Sequence, residues 1–457
     1  MVYSIIQKSQ LEGAHRIDGE YYQPEYLEIH RKINLLGSEI KLLRDVIEEP
    51  VVTGSTPKAR DCKGDGSDIH FIKTDTLRDG EIVFEDADCL SMKSSKKYSE
   101  PHYGDVLVTV IGATYDIVGR SAMVFADDPT MNINQNIALI RINSELVLPS
   151  FLATFLQSKF GRDQLWQQSR QTEQVNLNCR EVELVRIPLF SLSSQKSIDD
   201  LIILSRKLKN DSIILYKQAE DLLLEELGLR DFQVEDDLSF IVNLSDVKSA
   251  NRVDAEYFQP KYEKLISKIK EKNAKLLGDL VSMKKGFEPG SEAYQEEGKL
   301  FIRVSSVSKF GIDNKDQKYL SNDLYQKLKN NFQLQLGEIL LTKDATPGIA
   351  YVIKESIEGI ISGGILRLKL KENIDSEYLA LCISSLIGQM QAERDSGGSV
   401  IVHWKPEQIK KLLIPILPKD PQREIGDLVR KSHEARKKSK ELLEEAKRKV
   451  EDIIENG

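Results

Sequence analysis

The stretch HRIDGEYYQPEYLEI at residues 15–29 returns as NRVDAEYFQPKYEKL at residues 251–265. Both copies carry an arginine, an aspartate, a glutamate, a Gln-Pro pair and three aromatic positions at one spacing. A pattern this specific does not arise twice in one chain by chance. The repeat therefore predicts that one structural unit is duplicated.

The match continues along both halves of the chain. GDVLVT (104–109) aligns with GEILLT (337–342), and IALIRI (137–142) aligns with ILRLKL (365–370). These apolar runs are typical of strands. Short helices are predicted ahead of them over residues 24–36 and 260–277, where an initial proline suits the first turn. The expected fold class is α+β, with two equivalent α/β units in tandem.

Each unit ends in a long helix, predicted over residues 194–227 and 422–454. Apolar or small residues recur in both helices at steps of three and four, as in a coiled coil. They are Ile198, Leu201, Ser205, Leu208, Ser212, Leu215, Ala219 and Leu222, then Ile425, Leu428, Ser432, Ala435, Ser439, Leu442 and Ala446, with the charged Lys449 at the last matching position. Because small residues let backbones approach closely, we expect an antiparallel, pseudo-twofold coiled coil. The alternative is that each helix lies only on its own domain.

Composition limits the classes of protein that the chain can belong to. With 457 residues, 40% of them hydrophobic, it is too long for one core and can fill two. No apolar run reaches the roughly 18 residues of a membrane span, and no signal peptide is visible, so we expect a cytoplasmic protein. The net charge of −8 argues against nucleic acid as the sole partner, although a local basic face remains compatible with it.

The sequence offers no convincing active site. Its six histidines show no metal-ligand spacing, and no Gly-rich cofactor fingerprint follows a predicted strand. We therefore expect a protein that is not an enzyme and that binds neither a metal nor a cofactor.

Several of these segments together resemble the DNA-specificity (S) subunit of Type I restriction-modification systems. The resemblance rests on the GDVLVT and GEILLT strands, each followed by an Ala-Thr turn, and on ILYKQAEDLLLEELGL (214–229). It rests also on IPLFSLSSQKSI (187–198) and IPILPKDPQREI (414–425), which precede the long helices. Each motif alone is weak, but their duplicated order covers essentially the whole chain.

The resemblance implies four segments. They are target recognition domain 1 with an N-terminal brace segment (1–193), a central spacer helix (194–230), target recognition domain 2 (231–420) and a C-terminal spacer helix (421–457). In this family each recognition domain reads one half of a bipartite DNA target, and the helices form a spacer that docks two methyltransferase subunits.

The resemblance also implies that the subunit performs no chemistry. S-adenosylmethionine, ATP and Mg are expected only in the methyltransferase and restriction/translocase partners. Two other interpretations stay open. One is a specificity module of a related restriction-methylation or phage-defence system, and the other is a coiled-coil scaffold that binds protein and no DNA.

DNA-reading residues are expected in polar loops where the two copies diverge. The candidates in the first unit are Ser55, Thr56, Lys58, Arg60, Lys73, Thr74, Arg170, Gln171, Thr172, Gln174 and Asn176. Those in the second are Lys284, Lys285, Arg303, Ser305, Lys343, Ser399 and His403. The candidates for spacer and partner contacts are Ile198, Leu201, Leu208, Leu215, Leu222, Ile425, Leu428 and Leu442. The alternative for each loop residue is a solvent-exposed position that contacts nothing.

Two alignments complete the predictions. His403 and Trp404 align with Asn176 and Leu177, although Trp404 could equally be a core residue. The repeated opening segment is shared between the copies, whereas a base-reading residue should vary. We therefore expect Arg16 to pair with Asp18 or Glu20, and Arg252 with Asp254 or Glu256, as a brace. The alternative is that this segment contacts the methyltransferase.

Overall fold

A computed structural model describes residues 4–9, 11, 16–57, 68–95, 99–170, 175–232, 237–313, 317–396 and 402–456. The chain divides into two compact units. Unit 1 comprises Met1–Lys207 and Lys438–Gly457, and unit 2 comprises Leu208–Lys437. Each unit therefore contains the strands of one repeat together with part of both long helices.

Unit 1 is built from short strands and few helices. The strands are β1 (Glu39–Leu42), β2 (Val52–Thr53), β3 (Asp68–Ile72), β4 (Leu77–Arg78), β5 (Glu81–Ile82), β6 (Asp88–Ser91), β7 (Val106–Thr109), β8 (Ile111–Gly112), β9 (Ser121–Met123), β10 (Met131–Ile133), β11 (Ile137–Ile140), β12 (Val175–Asn176) and β13 (Arg186–Leu189). The helices are α1 (Pro24–Leu35), α2 (Pro149–Gln157), α3 (Lys159–Gln168), α4 (Cys179–Val182) and the start of α5 (Leu192–Glu226).

Unit 2 repeats this plan. Its strands are β14 (Lys275–Leu276), β15 (Val281–Lys285), β16 (Lys299–Ile302), β17 (Val307–Ser308), β18 (Gly311–Ile312), β19 (Lys318–Leu320), β20 (Ile339–Thr342), β21 (Ala350–Val352), β22 (Gly359–Ile361), β23 (Ile365–Leu370) and β24 (Leu413–Ile414). Its helices are α6 (Leu244–Ala250), α7 (Pro260–Lys270), α8 (Leu277–Leu280), α9 (Asn322–Phe332), α10 (Ser376–Ser384), α11 (Leu386–Asp395), α12 (Pro406–Ile409) and the start of α13 (Lys419–Asn456).

The sheets of the two units have the same strand order. The antiparallel sheet β2-β11-β7-β9 of unit 1 corresponds to β15-β23-β20-β21 of unit 2. A three-stranded sheet, β10-β3-β6 or β22-β16-β19, contains one parallel pair in each unit. All four residues of β7 and of β20 are buried, which explains why their sequences are uninterrupted apolar runs. The predicted α+β duplication is confirmed.

One predicted helix is wrong in length. The helix expected over residues 260–277 ends at Lys270, because the chain turns at Asn273 with a left-handed φ of 50°. Lys275 and Leu276 then pair with β24 as strand β14. Asparagine tolerates the left-handed conformation, so this turn costs little strain.

The two long helices pack on each other, as predicted. Within unit 1, the Ser439 hydroxyl donates to the Ser205 carbonyl oxygen at 2.8 Å. Within unit 2, the Ser432 hydroxyl donates to the Ser212 carbonyl oxygen at 2.7 Å. Rising numbers in α5 meet falling numbers in α13, so the helices run antiparallel. Among the described residues, no helix is both long and apolar enough to cross a membrane.

The buried stripe of α5 takes alternate steps of four and three. Its buried members are Ile198, Ile202, Ser205, Lys209, Ser212, Tyr216, Ala219 and Leu223. Leu201, Leu208, Leu215 and Leu222 each lie one residue before such a position and are half-buried. On α13, Ile425 and Leu442 are buried, whereas Val429 is buried in preference to the half-buried Leu428. Three of the four adjacent pairs on α5 offer two apolar residues, so the sequence pattern alone does not select which of the two is buried.

Candidate nucleic-acid interface

The predicted reading segments of unit 2 converge on one turn, residues 362–364, between β22 and β23. Backbone hydrogen bonds hold these segments around the turn. From donor nitrogen to acceptor oxygen they are Ser362 to Ile302 (2.8 Å), Lys343 to Gly364 (2.9 Å), Gly286 to Ile365 (3.1 Å) and Phe287 to Ile361 (2.9 Å). Lys285, Arg303 and Lys343 therefore come to the border of a single turn, although they are far apart in sequence.

Unit 1 has the same arrangement around residues 134–136, between β10 and β11. The matching bonds are Asn134 to Ile72 (3.1 Å), Val110 to Asn136 (2.9 Å), Gly54 to Ile137 (3.3 Å) and Ser55 to Ile133 (3.1 Å). Four equivalent bonds define equivalent backbones. We call residues 134–136 and 362–364 the hub turns.

A glycine lets the neighbouring segment approach each hub turn. A Cβ on Gly54 would lie 1.9 Å from the Ile133 carbonyl oxygen. A Cβ on Gly286 would lie 2.2 Å from the Ser362 carbonyl oxygen. Because no side chain fits at these distances, glycine is required at both positions. The residues that follow, Ser55 and Phe287, are thereby placed beside the turn.

In each unit the loop that leads to Leu177 or Trp404, called the second loop below, returns to the end of the central strand. The central strand is β7 in unit 1 and β20 in unit 2. The Leu177 N–H donates to the Val110 carbonyl oxygen at 2.9 Å, and the Trp404 N–H donates to the Lys343 carbonyl oxygen at 2.8 Å. Leu177 and Trp404 are each 1% exposed. The predicted alignment of these loops is therefore confirmed, and Trp404 is a core residue.

A charged group occupies the unit 2 end of this arrangement. Asp344 accepts from Lys343 through Oδ2 at 2.5 Å and pairs through Oδ1 with His403 Nδ1 at 2.8 Å. Burial raises the pKa of Asp344, but the hydrogen bonds from Lys343 and His403 outweigh it and leave this pKa below its usual value. Lys343 is buried, whereas the His403 side chain is 59% exposed. His403 is thus the member of the group that is open to a ligand.

The described candidates of unit 1 differ in how freely they face solvent. Arg170 is the most open of those described, with 72% of its side chain exposed and a 3.7 Å contact to Glu181. Asn176 and Thr56 are exposed, whereas Ser55, Lys73 and Thr74 are half-buried. The Lys73 ammonium lies 3.0 Å from Asp88, so part of its charge is already neutralised.

The remaining candidates of unit 2 border the hub turn. Lys284 is exposed and its ammonium lies 5.8 Å from the ring centre of Phe332. Lys285 is also exposed and pairs with Glu288 at 3.2 Å. Arg303 is half-buried, and the Ser305 hydroxyl is buried without a hydrogen-bond partner among the described residues.

Six predicted residues lie outside the described residues. They are Lys58, Arg60, Gln171, Thr172, Gln174 and Ser399. Their proposed role therefore stays a prediction.

The hub turns themselves were missed by the sequence-based prediction. They read Asn-Gln-Asn at 134–136 and Ser-Gly-Gly at 362–364. The available signal was a run of amide side chains directly before an aligned strand, at the place where the two copies stop agreeing. Their convergence with Lys285, Arg303 and Lys343 depends on sheet pairing, which the sequence pattern does not reveal.

The repeated opening segment forms the same contact in both units. Arg16 makes two hydrogen bonds to Asp18, at 2.6 and 2.7 Å, and donates to the Gln168 carbonyl oxygen at the end of α3. Arg252 makes two bonds to Asp254, at 2.5 and 2.9 Å, and donates to the last carbonyl oxygens of α11. The structure thus selects aspartate over glutamate as the partner. Each arginine caps the helix that leads into the second loop.

Comparisons with known proteins bear on this architecture. Residues 269–447 match the family model described as Type I restriction modification DNA specificity domain. The Type I restriction enzyme EcoBI specificity subunit of Escherichia coli is 28% identical over 161 residues, which are 34% of this chain and 32% of that protein. The match therefore spans about a third of the curated relative.

Two solved structures are similar to this chain at low identity. The S subunit of a Type I restriction-modification system from M. genitalium is 13% identical, with 92% of this chain and 96% of that chain covered and a TM-score of 0.40. The HsdS subunit from Thermoanaerobacter tengcongensis is 16% identical, with 92% and 97% covered and a TM-score of 0.31.

Residues 269–447, most of which lie in unit 2, thus match a Type I restriction modification DNA specificity domain. The resemblance to specificity subunits seen in the sequence is confirmed over this part of the chain.

Proposed function

We propose that this chain is the sequence-specific DNA-recognition subunit of a Type I restriction-modification complex. The observation that carries the proposal is the pair of hub turns, which keep one backbone and differ in their polar side chains. A scaffold that bound only protein would have no reason to vary these positions while preserving their frame. Two domains that recognise different DNA sequences would need a shared backbone that presents different polar side chains.

In this proposal each unit reads one half of a bipartite target in double-stranded DNA. Helix α5 has 35 residues, which corresponds to about 50 Å at 1.5 Å per residue. Half-sites one helical turn apart are separated by roughly 34–36 Å. A helix pair of this length is of the right order for a spacer between two readers.

The same helices are proposed to dock two methyltransferase subunits. Unit 1 exposes Ile203 and Leu204 on α5, each at 45%, and unit 2 exposes Ile213 and Ile214 at 38% and 54%. Aliphatic side chains on an otherwise charged helix favour a protein contact. Methyl transfer and cleavage, with S-adenosylmethionine, ATP and Mg, are assigned to the methyltransferase and restriction/translocase partners, and this chain is proposed to be non-catalytic.

Co-expression of this chain with a methyltransferase subunit of a Type I system tests the proposal. We expect the two proteins to co-purify and adenine methylation to appear at one split motif when DNA from these cells is sequenced. Cells that lack this gene should show no methylation at that motif. Unchanged methylation at every split motif would contradict the proposal.

A further inference from the structure

The hub turns differ most at their central position, which is Gln135 in unit 1 and Gly363 in unit 2. The Asn134 side chain is buried, and its Oδ1 accepts the backbone N–H of Asn136 at 3.1 Å. Asn134 therefore shapes the turn. Gln135 is exposed at the tip and carries an amide that can reach a ligand.

A neighbouring side chain orients the Gln135 amide. The Thr56 hydroxyl donates to Gln135 Oε1. In this arrangement Oε1 accepts from Thr56, and the Nε2 hydrogens are left for a partner. Thr56 follows Ser55, whose backbone is tied to the turn at 3.1 Å.

Unit 2 places a carboxylate where unit 1 has the amide. A Cβ on Gly363 would lie 2.1 Å from Glu288 Oε1, so the Glu288 carboxylate occupies the space of the missing side chain. Glu288 follows Phe287, which is tied to its hub turn as Ser55 is tied in unit 1. Its side chain is 65% exposed and lies 3.2 Å from the Lys285 ammonium.

The two groups have different recognition chemistry. An amide offers a donor and an acceptor and pairs with N6 and N7 of adenine in the major groove. A carboxylate only accepts and pairs with the N4 amino group of cytosine. The Lys285 ammonium, 3.2 Å from the Glu288 carboxylate, offsets part of the negative charge that would repel DNA phosphates.

We propose that Gln135 and Glu288 are specificity-determining residues, each for one base of its own half-site. Gln135 reads an adenine in the half-site of unit 1, and Glu288 reads a cytosine in the half-site of unit 2. The inference rests on the proposed function, because it assumes that both units contact DNA bases.

The test uses the complete complex with its methyltransferase partner and near-isosteric variants. Gln135→Glu and Glu288→Gln exchange the two chemistries with little change of volume. Methylation is measured on a library of duplexes in which every base of both half-sites is varied. We expect Gln135→Glu to reduce the preference for adenine at one position of one half-site by roughly 5- to 100-fold. Glu288→Gln should do the same for a cytosine in the other half-site.

Gln326→Glu, at an exposed position on α9, is the matched control and should leave every preference unchanged. A motif that stays unchanged in both hub-turn variants overturns the inference while the proposed function stands. Equal loss of methylation at all sequences also overturns it, because such a change reports folding or assembly. A wild-type complex with no sequence preference at all would instead contradict the proposed function itself.

Discussion

At the scale of single residues, Arg16 and Arg252 show what the duplicated segment does. Each guanidinium pairs with an aspartate two residues later and caps the helix before the second loop. The hydrogen bond from Arg16 holds the pKa of Asp18 below its usual value, and Arg252 does the same to Asp254. The identical contact in both units favours a structural role over a sequence-reading role.

A double-mutant cycle on Arg16 and Asp18 tests this brace. Arg16→Ala should lower the free energy of unfolding by about 1–3 kcal/mol, because it leaves a carboxylate and a helix-terminal carbonyl without their donor. Asp18→Ala added to it should cost little more, since the pair acts together. Thermal unfolding of the purified chain is the measurement. Full stability combined with loss of methyltransferase binding would instead support the docking alternative.

At the scale of elements, the packing of helix α5 is defined by which of two adjacent residues is buried. Ile202 is 7% exposed, whereas Ile203 next to it is 45% exposed. Replacing each of these two isoleucines by alanine therefore separates the effect of burial from the effect of the residue type.

Ile202→Ala should lower the free energy of unfolding by about 2–4 kcal/mol, because it opens a cavity between α5 and the unit 1 core. Ile203→Ala is the matched control and should change it by less than about 0.5 kcal/mol. Chemical denaturation measures both. Equal losses at the two positions would contradict the register described for α5.

His433 on α13 gives unit 2 a dependence on pH. It is 6% exposed, its Nε2 donates to the Lys309 carbonyl oxygen at 2.9 Å, and its Nδ1 contacts Lys354 and lies 3.7 Å from Glu377. Burial, followed by the charge of Lys354, lowers the pKa of His433 to about 4. As the pH falls, His433 is therefore protonated near pH 6.5 in the unfolded chain but only near pH 4 in the folded chain.

The free energy of unfolding should accordingly be unaffected by His433 above pH 6.5. It should fall by on the order of 3 kcal/mol as the pH approaches 4. Glu377, whose pKa burial raises, takes up a proton more readily in the folded state and offsets part of this loss. His433→Gln keeps a polar side chain without titrating, so its Tm should fall less than that of the wild type between pH 6.5 and 4.5. Parallel curves for the two proteins would show that His433 does not control this range.

At the scale of the whole molecule, a chain of net charge −8 that binds DNA as proposed must concentrate its DNA contacts in local regions. The exposed basic residues around the second loop and the hub turns fit this requirement. Arg170 is the clearest of them because 72% of its side chain is open to solvent.

Arg170→Ala should weaken binding of the assembled complex to duplex DNA and reduce the slope of log K against log salt by about one. Partner assembly should be unaffected, since 72% of the side chain is exposed and its ion-pair contact among the described residues is with Glu181 at 3.7 Å. Arg31→Ala, an exposed and ion-paired arginine on α1, is the control and should leave the slope unchanged. Loss of assembly in Arg170→Ala would show that its loop is structural.

The amino-acid sequence by itself determined the duplication, the central strands and the two long helices with their small residues. The strands and helices follow from the periodicity of neighbouring residues, and the duplication follows from the repeated sequence. The tertiary structure alone decided that Ile202 faces the core in place of Leu201 and that Arg16 pairs with Asp18. It also brought residues 55, 110 and 134–136 together, because strand pairing joins segments that no local pattern relates. The hub turns became visible only when the sheets placed them beside one another.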